Sequence, residues 1–118
     1  MLFLQYPPCS TCKKAKAFLD AHGVAYTDRH IKEENPTYEE LKAWVQMSGL
    51  PLKKFFNTSG LLYKSLNLKE KLPTMTEEEQ LMLLATDGML VKRPIIVTGN
   101  RVLTGFRADA WKEALLKK

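Results

Sequence analysis

Leu2-Phe3-Leu4-Gln5-Tyr6-Pro7-Pro8-Cys9-Ser10-Thr11-Cys12-Lys13-Lys14-Ala15 is the stretch from which the rest of the chain is read. It opens on a short apolar and aromatic run that stops at Pro7-Pro8, the pattern of a buried first strand. A helix is expected to follow from about Ser10 to His22, with Gly23 as its C-terminal stop. Cys12, Ala15, Phe18 and Leu19 recur at helical spacing and mark its buried face, while Lys13, Lys14 and Lys16 fall outside it. Val24 to Ile31 then alternates and reads as a second strand. The opening third is thus a β-α-β unit with Cys9 and Cys12 at its first strand-to-helix junction.

Beyond Asn35-Pro36 the character changes. Thr37-x-x-Glu40 and Thr76-x-x-Glu79 are two capping boxes, each satisfying free amides at a helix start. The first opens a helix with Leu41, Trp44, Val45 and Ser48 on one face, ended by Gly49 and Pro51. The second opens a helix carrying Leu81, Leu84 and Ala85 and closing near Gly88. One or two short helices are expected between them, around Phe55-Phe56 and Leu62 to Leu66. Strands return with Pro94-Ile95-Ile96-Val97-Thr98, the turn pair Gly99-Asn100 and the hairpin partner Arg101-Val102-Leu103-Thr104. A terminal helix starts near Ala108 and carries Ala110, Trp111, Ala114 and Leu115.

The predicted architecture is therefore α/β, a thioredoxin-like mixed four-stranded sheet with an inserted helical block. The chain reads as one domain over 1–118, with core segments at about 1–35 and 90–118 and the insertion at about 36–89. In that layout a cis-proline is expected just before the third strand, facing the cysteine loop. Lys92-Arg93-Pro94 stands there, so the Arg93–Pro94 bond is predicted cis, a geometry that X-Pro bonds adopt positionally rather than by accident.

Composition fits one globular domain: 118 residues, 45% hydrophobic and 26% charged. No uncharged apolar run is long enough for a transmembrane helix. The N-terminus lacks a basic leader and a small-residue cleavage site, so a cytoplasmic protein is expected. The formal charge is +5, with lysine clusters at Lys13-Lys14-Lys16, Lys53-Lys54 and Lys117-Lys118 that read as solvated surface. No zinc finger, RNA-recognition or basic-zipper pattern is present, which argues against direct nucleic-acid binding. An anionic substrate or an acidic protein surface is compatible with the excess charge.

The two cysteines carry the candidate chemistry. At a helix N-terminus, free amides and the macrodipole favour an anion, so the Cys9 thiol is expected to ionise more readily than usual, with Lys13 and Lys14 adding positive charge. Cys12 lies one turn on and on the apolar face, close enough to close a disulfide with Cys9. An attacking Cys9 and a resolving Cys12 are the resulting roles. Zinc is disfavoured, since only Cys9, Cys12, His22 and His30 are on offer and the histidines lack finger-like spacing. Two inert buried cysteines are the plainer alternative. No metal and no cofactor are called for. Arg93 is the natural holder of an anionic group because its guanidinium donates in a planar fork, with Arg101 or Arg107 supplying a second charge.

These motifs, together with Leu52-Lys53-Lys54-Phe55-Phe56-Asn57-Thr58-Ser59-Gly60, Leu66-Asn67-Leu68, Asp87-Gly88-Met89-Leu90 and Lys92-Arg93-Pro94-Ile95-Ile96-Val97, resemble the arsenate reductase-like family, which also includes the Spx-type transcription regulators. The resemblance covers essentially the full length and implies a thioredoxin-like core with a helical insertion. It implies that Cys9 matches the nucleophile, Arg93 the arginine before the cis-proline, and Arg107 a further oxyanion-binding arginine. Two departures stand out. Asn57 occupies about the place where the family's reductases carry an arginine, and one lost charge-assisted contact costs about 1.5–3 kcal/mol. Cys12 is generally absent from the glutathione-coupled reductases, and its presence suggests an intramolecular disulfide. The implied activity is thiol-disulfide oxidoreduction, recycled by glutathione or by a glutaredoxin- or thioredoxin-type protein. Alternatives from the same resemblance are a redox-switched regulator that binds RNA polymerase and arsenate reduction itself.

Overall fold

A computed structural model describes residues 1–116; Lys117 and Lys118, and the lysine cluster they form, lie outside the described residues. Strand β1 (Leu2–Gln5) leads into helix α1 (Ser10–Ala21), and β2 (Thr27–His30) returns parallel to β1, with Leu2 opposite Thr27. The helical segment follows: α2 (Tyr38–Ser48), a 3-10 turn at Leu52–Phe55, α3 (Leu61–Ser65), α4 (Leu68–Lys71), and α5 (Glu77–Leu84). Then β3 (Ile95–Thr98) and β4 (Arg101–Thr104) form the hairpin, and α6 (Ala108–Trp111) runs into a wider-wound turn over Lys112–Leu116. The sheet order is β2-β1-β3-β4, with β3 antiparallel to both neighbours. This is the mixed four-stranded sheet with helices expected from the sequence.

Alternation along the central strands assigns the two faces of the sheet. Phe3 and Ile96 point to one side, where they pack with Ala15, Leu19 and Trp111 under α1 and α6. Leu4 and Ile95 point to the other side, into a larger core supplied by the helical segment through Trp44, Phe55, Phe56, Leu84 and others. Covering both faces explains why β1 and β3 are continuous hydrophobic runs. The helical segment is therefore one of the two layers that bury the sheet.

Both capping boxes form. Thr37 accepts from the Glu40 amide at 3.1 Å while Glu40 accepts from the Thr37 amide at 3.0 Å, and Thr76 and Glu79 repeat the exchange. Glu40 has a second task. It takes a two-pronged ion pair from Arg29 of β2, at 2.7 and 2.9 Å, which ties the sheet edge to α2.

Apart from shifts of a single residue at other ends, three boundaries matter for the reading of the chain. The second strand begins at Thr27 rather than Val24, because sheet pairing starts at Leu2 opposite Thr27 and the preceding residues are held by α1 instead. There the Val24 amide bonds the Leu19 carbonyl, and the Tyr26 hydroxyl bonds Asp20 at 2.9 Å. The first strand stops at Gln5 rather than Tyr6. Helix α5 ends at Leu84, short of Gly88. Gly88 instead opens a 3-10 turn pressed against the end of β2, where an added Cβ would lie 1.8 Å from the Ile31 carbonyl oxygen.

Candidate active site

Cys9 is the N-cap of α1, reached as the chain leaves β1 through Pro7-Pro8; its amide bonds the Tyr6 carbonyl at 2.9 Å and its carbonyl accepts from the Lys13 amide at 3.0 Å. The thiol makes no cap hydrogen bond of its own. Burial pushes the Cys9 thiol up. The Cys12 amide, the Cys12 thiol, the Thr11 amide and the positive charge of Arg93 more than offset that effect, so the Cys9 pKa lies below its ordinary value. The cation that acts on Cys9 is thus Arg93, whereas Lys13 and Lys14, expected to help, extend into solvent from α1.

Cys12 is fully buried, and both cysteines are free thiols. Burial is the main reason its pKa is pushed up to about 12, opposed by the Tyr6 amide, which donates to the Cys12 Sγ at 3.4 Å, and reinforced by hydrogen bonding to Cys9 and by its charge. The two thiols are therefore driven apart: one toward thiolate at the surface, one held protonated beneath it.

The Arg93–Pro94 bond is cis. Pro94 is buried, and its carbonyl accepts from the Gly105 amide at 2.8 Å, which anchors the loop carrying Phe106 and Arg107. Arg93 lies over the Tyr6 ring, 5.1 Å from its centroid, and directs one guanidinium nitrogen toward the Met89 carbonyl at 3.5 Å. Its Nε is buried and without a hydrogen-bond partner.

A cavity of about 670 Å³ brings most of the predicted residues together: Cys9, Asn57, Arg93 and Arg107 line it, and its size is in the range of small-molecule sites. Cys12, fully buried, does not line it. Arg101 is elsewhere, exposed on β4 with its guanidinium 3.4 Å from the Ala114 carbonyl. The cavity wall is closed by a short antiparallel contact between the two halves of the chain. The Asn57 amide bonds the Leu90 carbonyl at 2.8 Å, the Lys92 amide bonds the Phe55 carbonyl at 2.7 Å, and Phe56 bridges Val91.

Sequence reasoning missed Lys54, Lys92 and Tyr6. Lys54 read as one of a solvated lysine pair, yet it lines the cavity, as does Lys92. For Lys92 the signal was its place next to Arg93; for Tyr6 it was its place before Pro-Pro-Cys. Among the described residues no group of three His, Cys, Asp or Glu side chains could hold a metal ion, and His22 is exposed with Nδ1 against the Phe18 carbonyl at 2.8 Å. No helix among them is long and apolar enough to cross a membrane.

A mixed sheet with a cysteine pair at its first strand-helix junction and a cis-proline ahead of its third strand defines a thioredoxin-like fold. The chain belongs to the ArsC family, which it matches over residues 4–114. It is 55% identical to the protein YusI of Bacillus subtilis, with 96% of each chain covered. The regulatory protein MgsR of the same organism is 34% identical over 90% of this chain and 82% of its own. A crystal structure of a Bacteroides fragilis protein described as ArsC family related superposes with a TM-score of 0.93 at 62% identity, covering 95% of this chain and 94% of that one.

Proposed function

We propose that the protein is a thiol-disulfide oxidoreductase in which Cys9 attacks and Cys12 resolves. The observation that carries this reading is the opposed setting of the two thiols: Cys9 lowered at the mouth of a cation-lined cavity, Cys12 raised and buried directly behind it. The Cys9 thiolate attacks one sulfur of a substrate disulfide, forming a mixed disulfide and releasing the first thiolate, which takes a proton from water. Loss of the negative charge on Cys9 then removes part of what keeps Cys12 protonated. Cys12 gives up its proton and attacks the Cys9 sulfur, and the second substrate thiolate leaves. The substrate gains two electrons and two protons, and the Cys9–Cys12 pair becomes a disulfide. A dithiol, or two molecules of a monothiol such as glutathione, restores the reduced pair. Arg93 holds an anionic group of the substrate beside the reacting sulfur.

The test is single-turnover reduction of a low-molecular-mass disulfide by the reduced protein. Cys9→Ser should abolish it, while Cys12→Ser should stop at a mixed disulfide detectable by intact mass. Full exchange activity in Cys9→Ser would overturn the mechanism.

A second reading, a redox-switched regulator that contacts RNA polymerase, draws support from the similarity to the regulatory protein MgsR. Co-purification of polymerase subunits with only one redox form of the protein would favour it. Arsenate reduction is less well supported, because Asn57 lines the cavity where an arginine would complete an oxyanion site.

A further inference from the structure

The cavity in front of Cys9 is lined by four cationic side chains, Lys54, Lys92, Arg93 and Arg107, and among the described residues no carboxylate lines it. Counter-charges exist elsewhere: Lys16 is paired with Asp20 and Arg29 with Glu40. None of the four cavity cations has an ion-pair partner among the described residues, and the Nε of Arg93 is buried with no partner at all. Gathering like charges around an opening has an electrostatic cost that solvent only partly screens, and an anionic ligand would remove it.

The kinds and positions of the cations narrow that ligand. Arg93 is the one close enough to act on Cys9, and its planar fork suits a carboxylate next to the reacting sulfur. Lys54 and Lys92 are held on the wall where the Phe55–Asn57 and Leu90–Lys92 segments are bonded together. Lys92 is held close over Gly105, where an added Cβ would lie 3.3 Å from the lysine Cε. Ammonium groups are hydrated point charges on flexible stems, which suits a carboxylate that arrives on a mobile arm. A cavity of about 670 Å³ also leaves room for a ligand of many more atoms than an oxyanion.

We propose that Lys54 and Lys92 are specificity-determining residues that select an organic disulfide carrying at least two negative charges, one set beside the reacting sulfur at Arg93 and the other received at the lysine pair. This deepens the oxidoreductase reading and rests on it. The chemistry is as above: the Cys9–sulfur bond forms, the substrate S–S bond breaks, and the leaving anionic thiolate is protonated by water.

The experiment compares three symmetric disulfides of similar length in single-turnover exchange with the reduced protein at low ionic strength: dianionic 3,3′-dithiodipropionate, neutral 2,2′-dithiodiethanol and dicationic cystamine. The expected result is that the dianion reacts about tenfold faster than the neutral compound, that cystamine is the slowest, and that added salt erases the difference. In Lys54→Gln/Lys92→Gln the ratio of dianion to neutral rate should fall severalfold, leaving the share owed to Arg93, with the single Lys54→Gln variant intermediate. Equal rates for all three disulfides in the native protein, or an unchanged ratio in the double variant, would overturn the proposal while leaving the oxidoreductase reading in place. If no disulfide reacts, that reading fails, and the charge selection is read from alkylation of Cys9 instead. There iodoacetate should outpace its normal disadvantage against neutral iodoacetamide in the native protein but not in the double variant. An identical alkylation ratio in the two proteins would refute the role of the lysines.

Discussion

Replacing Cys12 by alanine removes a thiol whose ionisation the fold suppresses. Cys12 is fully buried, and its pKa is raised from 9.0 to about 12, chiefly by that burial. In the unfolded chain the same thiol ionises near its ordinary value. Between the two values the unfolded state has released a proton that the native state still holds, so the native state loses stability as pH rises. The limiting slope is about 1.4 kcal/mol per pH unit. The unfolded thiol is already half ionised near pH 9, so the interval from pH 9 to 11 integrates to roughly 2.3 kcal/mol. Alanine does not titrate, and the cost of the small cavity it leaves is independent of pH. Cys9 owes part of its lowering in the native state to the Cys12 thiol, so its titration in each protein is followed by thiolate absorbance and its share subtracted from the comparison. The assay is urea unfolding of the reduced native protein and of Cys12→Ala at pH 9, 10 and 11. The stability of the native protein relative to the variant should fall by roughly 2.3 kcal/mol over the series. Parallel pH dependences would mean that Cys12 ionises as easily inside the fold as outside it. The division of labour between the two thiols would then lose its basis.

Two further outcomes are expected. Asn57→Arg adds a third guanidinium to the cavity and should tighten sulfate binding about tenfold to a hundredfold, measured by calorimetry; unchanged affinity would separate position 57 from the anion site. Gly88→Ala forces a methyl group to within 1.8 Å of the Ile31 carbonyl oxygen and should cost about 3 kcal/mol or more in urea unfolding; a loss below about 1 kcal/mol would show that the turn can move away from β2.

Much of this architecture was legible because it is local. The proline stop before Cys9, the two capping boxes and the Gly99-Asn100 turn each fix a boundary through neighbours a few residues away. Val24 to Tyr26 misled because their alternation is real but their partners are side chains and carbonyls of α1, and periodicity alone does not say what an extended segment pairs with. Gly88 read as a helix stop, since a missing Cβ looks the same whether it serves a cap or a close approach to another segment. The cavity was legible only in part. Cys9, Arg93 and Arg107 follow from motif and layout, but Lys54 joins them through the contact between residues 55–57 and 90–92. That contact spans dozens of residues and leaves no periodic trace.

The same contact divides the labour around the cavity within one small protein. The sulfur pair and its polarising amides belong to the first strand and helix, whereas Lys54 and Asn57 belong to the helical segment, which is joined to the 90–92 segment ahead of β3 by two backbone hydrogen bonds and one bridge. Main-chain bonds are indifferent to the side chains they carry. Lys54, Asn57 and Lys92, which line the cavity from this seam, can therefore exchange charge, length or polarity while Phe55, Phe56 and Val91 keep the seam itself anchored in the core. One reactive scaffold could in this way be retuned from one anionic partner to another by changes confined to its rim.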